Sequence, residues 1–248
     1  MAEAMDGLDR LAKDYDVFVA SDGAGFKRRA RVLQSMWRER QGYPMGTHRG
    51  RPLGSRLPMP WAEETLANYL TGPIRQVVRD EVLNQEAGGE KLFQTPRIFA
   101  NLLSSQPLCF NLFGELQQDP ALATAVMRTL APERVARVTR IGFEVSPGRG
   151  DPRYTGDKSA FDVFVAFETP AGGEGFAGIE VKYTETLGQA ASRHRRRYDE
   201  LAASMGCFRA ERLDALRSQP LHQIWRDHLL AGSLLTLENP IDFSTNKL

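Results

Sequence analysis

Three residues in the second half of the chain have the types and the spacing that metal-assisted hydrolysis needs: Asp162, Glu180 and Lys182. Asp162 lies in the run AFDVFVAFETP, residues 160–170. Period-two alternation puts Phe161, Val163, Val165 and Phe167 on one face of a strand and Asp162, Phe164, Ala166 and Glu168 on the other. Glu180 and Lys182 are two apart in FAGIEVKYTET, residues 176–186, so their side chains leave one face about 6–7 Å apart along the strand. The intervening AGGEG is a turn sequence, which makes the two runs an antiparallel hairpin and brings Asp162 beside Glu180. A carboxylate inside so apolar a strand needs a partner, because burying an unpaired charge is costly.

Two carboxylates at one point could hold Mg²⁺, with Mn²⁺ as a substitute; the Val181 carbonyl could add a ligand. Such an ion polarises a phosphodiester oxygen and lowers the pKa of a bound water. Lys182 could position or deprotonate that water, or offset charge on phosphorus. The plain alternative is an ion pair between Asp162 and Lys182, of little energetic consequence if it lies at the surface. The chain has no Gly-rich phosphate loop, which sets P-loop nucleotide hydrolysis aside. Its four histidines, His48, His194, His222 and His228, show no HxH or HExxH spacing.

The elements that must position these residues follow from periodicity. FKRRARVLQSMWRERQG, 26–42, predicts a basic amphipathic helix with Phe26, Val32, Leu33, Met36 and Trp37 as its buried stripe and Gly42 as its stop. Residues 43–61, rich in Gly, Pro and Arg, predict a long basic loop without regular structure. One long helix is expected over 62–86. Another is expected over 96–117, kinked or divided at Pro107, and a short one over 119–132, with Asp119 as N-cap and Pro120 as first residue. The period then changes to strands at 135–147, 160–170 and 176–186, followed by helices at 189–206 and 220–235. The order of helices, three strands and helices predicts a mixed α/β (α+β) domain, with a central sheet flanked by helices.

The 248 residues, 42% apolar and 25% charged, suffice for a buried core without disulfides or a structural metal. Cys109 and Cys207 form no CxxC, which excludes zinc-ribbon spacing and suits a reducing, cytoplasmic setting. The charged N-terminus lacks a secretory h-region, and the absence of any run of eighteen apolar residues predicts no membrane span. Net charge is only +1, but cations cluster: residues 25–60 carry nine Arg or Lys against one Glu, and a second group is Arg193, Arg195, Arg196 and Arg197. Both clusters could grip nucleic-acid phosphates, with Arg49 and Arg51 on the basic loop.

FDVFVAF followed by GIEVKYTE resembles the PD-(D/E)XK nucleases, the restriction-endonuclease-like superfamily, whose Asp, Glu and Lys correspond to Asp162, Glu180 and Lys182. The proline that names the motif is absent; Ala160 and Phe161 precede the Asp. SSQPLCFNLFGEL and PLHQIWRDHLLAGSLL resemble an early and a late core helix of a bacterial group of restriction-endonuclease-like proteins, so the resemblance covers about residues 95–235. It implies an αβββαβ core over 95–248, a basic helical extension over 1–94, and a Mg²⁺-dependent endonuclease acting on DNA in a restriction- or defence-like role. It also implies an additional acidic residue from the first core helix, for which Glu115 is the candidate and Glu144 on the first strand the competitor. Gln223 on the late helix is an assisting candidate, since an amide can bind a phosphate or a base edge. The fourth strand has only Ile241–Ser244 to draw on, or is shortened. DNA is the expected partner, a homodimer stays open, and no membrane partner is expected. Two other readings remain: a catalytically silent nucleic-acid-binding or protein-interaction module of the same fold, or a nuclease of repair, recombination or RNA.

Overall fold

A computed structural model describes residues 2–23, 25–84, 91–187 and 193–236. The chain divides into two compact units that interleave along the sequence. Unit 1 comprises Met1–Asn84, Phe93–Asn111 and Lys182–Glu185; unit 2 comprises Gln85–Leu92, Leu112–Val181 and Thr186–Leu248.

Unit 1 is built from α1 (Ala2–Asp14), α2 (Phe26–Arg40), a hairpin of β1 (Gly46–His48) and β2 (Arg51–Leu53), α3 (Trp61–Thr65), α4 (Gly72–Val78), α5 (Arg97–Ala100) and the start of α6 (Ser105–Gln118). The basic helix forms where periodicity put it, but its buried side differs from the expected stripe. Phe26 and Leu33 are exposed, whereas Arg28, Arg31 and Arg38 are buried beside Val32. These arginines are tolerated inside because each finds acceptors. Arg28 pairs with Asp9; Arg31 pairs with Asp22 and donates to Ser55 Oγ at 2.8 Å; Arg38 donates to the carbonyls of Gly54 and Tyr43 at 2.9 and 2.6 Å. Leu33 and Trp37 instead line a cavity of about 500 Å³ with Leu70, Leu102, Leu108 and Tyr183.

The loop expected at 43–61 contains the β1–β2 hairpin. Its tip residues, Arg49 and Gly50, both have positive φ, as a two-residue turn matched to strand twist requires. The single helix expected over 62–86 is broken. Leu66 turns left-handed at the end of α3, and Thr71 restarts the chain by accepting from Ile74 N–H, with Pro73 in the first turn where a missing N–H costs nothing. For the same reason Pro107 does not kink α6; it lies in that helix's first turn, and the break falls earlier, after α5.

Unit 2 takes the rest of α6, then α7 (Pro120–Leu130), β3 (Arg137–Val145), β4 (Phe161–Glu168), β5 (Glu174–Ile179), α8 (Arg196–Met205), α9 (Leu213–Leu216) and α10 (His222–Thr236). Asp119 caps α7 as expected, accepting from Ala121 and Leu122 N–H. The sheet order is β3-β4-β5, antiparallel throughout among the described residues. The strand that would make it mixed, at 241–244, lies outside them. Phe164 and Ala166 of β4 pack with Leu230 and Leu234 of α10, so this helix covers the sheet face that carries Asp162. Tyr198, Leu201 and Ala202 of α8 join Trp225 and Leu229 of α10 in a second cluster. Among the described residues no helix is long and apolar enough to cross a membrane.

Candidate active site

Register determines which side chains meet in unit 2. Phe143 pairs with Val163 and Val145 with Phe161, so Glu144 stands opposite Asp162; Val163 pairs with Ile179, and one further step puts Glu180 opposite Asp162 on the other side. Neighbouring strands lie about 5 Å apart, so Glu144, Asp162 and Glu180 form a row across three chain segments. The third strand stops short of its expected end at 186, and the row shows why. Asp162 Oδ2 accepts from the N–H of Val181 at 2.8 Å, so this donor goes to a side chain rather than to the ladder.

Glu180 is fixed from the other direction: Gln223, in the first turn of α10, donates to its Oε1 at 2.6 Å. The structure thus brings Asp162, Glu180, Val181 and Gln223 together. Glu144, next to the end of β3, has φ +50°, a left-handed conformation that costs a non-glycine residue energy. Burial pushes its carboxyl pKa up and the charge of Glu180 adds to this, against the opposing charges of Arg149 and Lys91.

Arg149 was not singled out from the sequence. It lies between Gly148 and Gly150, both at positive φ, in the connection from β3 to β4. Its side chain is only 9% exposed, its Nη2 is 3.9 Å from Glu144 Oε1, and its buried Nε and Nη2 have no hydrogen-bond acceptor. The loop around it is tightly held. The Tyr154 ring lies where a Cβ on Gly148 would be, and Gly150 N–H donates to the Asp157 carbonyl at 2.7 Å. The Asp157 carboxylate in turn accepts from Thr155, Ser159 N–H, Tyr198 and Arg226. Burial alone would raise the Asp157 pKa, but those hydrogen bonds and the Arg226 charge outweigh it and hold it well below the usual range. An arginine flanked by two glycines just after a strand was the signal in the sequence.

Lys182 follows Val181 directly and opens the short segment assigned to unit 1. That segment is anchored at several points. Gln34 donates to the Tyr183 hydroxyl at 2.8 Å, and Thr184 Oγ1 donates to the Leu103 carbonyl at 3.1 Å. Glu185 accepts from Arg97 at 2.6 Å, from Ser105 N–H at 2.9 Å, and from the N–H groups of Tyr183 and Thr184 at 3.2 Å. Burial works to raise the Glu185 pKa; the N–H donors and Arg97 more than reverse it. Sequence reading also passed over this residue, whose type alone suggests only a solvated carboxylate.

The remaining candidates are dispersed. Glu115 is exposed on α6. Arg193, Arg195 and Arg196 are exposed, but Arg197 is spent on the carbonyls of Tyr154 and Arg153 at 2.9 and 2.6 Å. Arg49 and Arg51 are exposed at the β1–β2 tip.

The model of the PD-(D/E)XK nuclease superfamily matches residues 20–245. The chain belongs to this superfamily. Neither the curated proteins nor the solved structures gave a match. PD-(D/E)XK proteins are in general nucleases that use divalent metal ions. The donors of unit 2 fit such an ion: two carboxylates and a carbonyl are hard oxygen ligands. Among the described residues, no three His, Cys, Asp or Glu are gathered to hold a metal by themselves.

Proposed function

We propose that this chain is a Mg²⁺-dependent endonuclease that hydrolyses DNA phosphodiester bonds, in a restriction- or defence-like role. The observation that carries the reading is the bond from Val181 N–H to Asp162, which joins the two carboxylate-bearing segments of the superfamily motif. Asp162, Glu180 and the Val181 carbonyl would hold the ion, and Gln223 fixes the orientation of Glu180. When bound, the ion supplies Lewis-acid polarisation of a phosphoryl oxygen and a more acidic water. Lys182, two residues beyond Glu180, orients the attacking water and offsets charge on phosphorus as the water–phosphorus bond forms and the ester bond breaks. The additional acidic residue near the ion would be Glu115 or Glu144; membership of the row favours Glu144. Cys109 and Cys207 are free thiols, in keeping with a cytoplasmic setting. The division into a 1–94 extension and a 95–248 core belongs to the same reading.

The test offers supercoiled plasmid, linear duplex, single strands and RNA with Mg²⁺, Mn²⁺ or EDTA. Cleavage of DNA that EDTA abolishes is expected, with Lys182→Ala slower by about 10²–10⁴-fold while remaining folded. Calorimetric titration should show that Asp162→Ala loses Mg²⁺ binding. Cleavage of RNA or branched DNA alone would move the protein to a repair or RNA role. Full activity in a folded Lys182→Ala protein would remove the catalytic assignment. Binding without cleavage in any metal would leave the silent module of the same fold.

A further inference from the structure

The carboxylate row raises an electrostatic problem. Glu144, Asp162 and Glu180 gather negative charge where the proposed substrate is a polyanion. One divalent ion offsets part of it. Arg149 faces this row at Glu144, and its geometry is not that of a finished salt bridge. A guanidinium serving only as a counter-ion makes parallel N–H···O bonds to its carboxylate within about 3 Å. Arg149 stays 3.9 Å from Glu144, with Nε and Nη2 buried and lacking acceptors. Buried donors left without acceptors are costly, so the arrangement is complete only when another acceptor arrives.

We infer that Arg149 is a phosphate-binding residue: its guanidinium takes a non-bridging oxygen of a phosphate lying over the Glu144–Asp162–Glu180 row. The two N–H groups present a planar fork, which suits an oxyanion with two accepting oxygens better than a point contact would. Glu144 serves as the tether that keeps the fork at the row until phosphate displaces it. Gly148 and Gly150 allow the positive-φ turns on either side of Arg149, and the Tyr154 ring packs against Gly148. That this phosphate belongs to a nucleic-acid backbone rests on the function proposed above. Free phosphate presents the same chemistry, so the experiment separates the two sources.

Arg149→Gln and Arg149→Lys would be compared with the unaltered full-length chain. Binding of a short duplex is followed over a salt series with Ca²⁺ in place of Mg²⁺, and binding of inorganic phosphate by calorimetry. Thermal melting reports folding. Arg149→Gln is expected to lose about tenfold or more in duplex affinity and to reduce the slope of log affinity against log salt by about 0.9, one phosphate contact. Arg149→Lys keeps the charge and the slope but still loses affinity, because a point charge does not replace the fork. It also provides the reading should Arg149→Gln fail to fold. If the unaltered chain binds duplex and both variants match it in affinity and slope, the Arg149 assignment is overturned while the nuclease reading stands. Arg149-dependent phosphate binding in a chain that neither binds nor cuts nucleic acid keeps the anion site and overturns the nuclease. Binding of neither ligand by the unaltered chain overturns both.

Discussion

Two buried arginine–carboxylate pairings described in unit 2, Arg226 with Asp157 and Arg149 with Glu144, are built to opposite specifications. Arg226 donates to Asp157 and to Ser159 Oγ at 2.6 Å, and Asp157 is further saturated by Tyr198, Thr155 and the Ser159 N–H. Arg149 and Glu144 stand 3.9 Å apart; two guanidinium N–H groups lack acceptors, and the glutamate is held in a left-handed conformation. The first pairing ties the connection that precedes β4 to α8 and α10, as a completed network should. The second carries desolvation and backbone strain without the compensating bonds, the pattern expected where binding rather than folding sets the geometry. Burial of a charged residue therefore does not by itself distinguish structure from function.

The contrast can be tested by breaking each half. Asp157→Ala should be the largest effect on folding. Leaving Arg226 buried without its carboxylate costs about 3–5 kcal/mol of unfolding free energy in urea titration. A loss below about 1 kcal/mol, the scale of a surface ion pair, would show that the network is not the tie described. A second test uses acid. The folded Asp157 pKa is depressed below its ordinary 3.8, so the unfolded chain takes up the proton first as pH falls. Its stabilisation is fully present above that value and drains away as pH drops towards the folded pKa. Asp157→Asn should therefore flatten the acid limb of a stability–pH profile between about pH 4 and pH 2; an unchanged limb would assign the acid sensitivity elsewhere. The smallest effect is expected at the other pair. Glu144→Gln removes a carboxylate whose charged form is disfavoured by burial and by Glu180, so the metal-free protein should melt slightly higher at neutral pH. A large fall in melting temperature would make Glu144 structural and close the gap between the two pairings.

Much of unit 2 was legible in the sequence because strand period and turn chemistry are local. The 160–182 hairpin and the nearness of Asp162 to Glu180 follow from alternation and a Gly-rich turn, and the Asp119 cap from a capping residue followed by proline. Basic composition was less informative. Arg28, Arg31 and Arg38 read as a phosphate-binding surface, yet they are internal because acceptors at Asp9, Asp22, Tyr43 and Gly54 reach them. Those partners lie far enough along the chain that no periodicity announces them. Arg149 and Glu185 escaped for the same reason: the importance of each lies in what surrounds it. The break at Leu66–Thr71 was recoverable, since a threonine followed two residues later by proline is a helix start.

The anchoring of the segment after Val181 has a genetic consequence. Lys182 sits on a stretch held by Glu185 through Arg97 and Ser105. A search for inactive alleles should therefore return changes at Arg97 and Glu185, positions that sequence proximity to a metal ligand would not nominate as a pair. On the proposed function, Arg97→Ala protein should keep its carboxylates, bind Mg²⁺ and duplex normally, and turn over slowly. Co-expressed with the unaltered chain, such an allele would occupy target sites without cutting them and so act as a dominant inhibitor. An Asp162→Ala allele, whose metal binding is lost, should compete less well wherever the ion contributes to holding DNA.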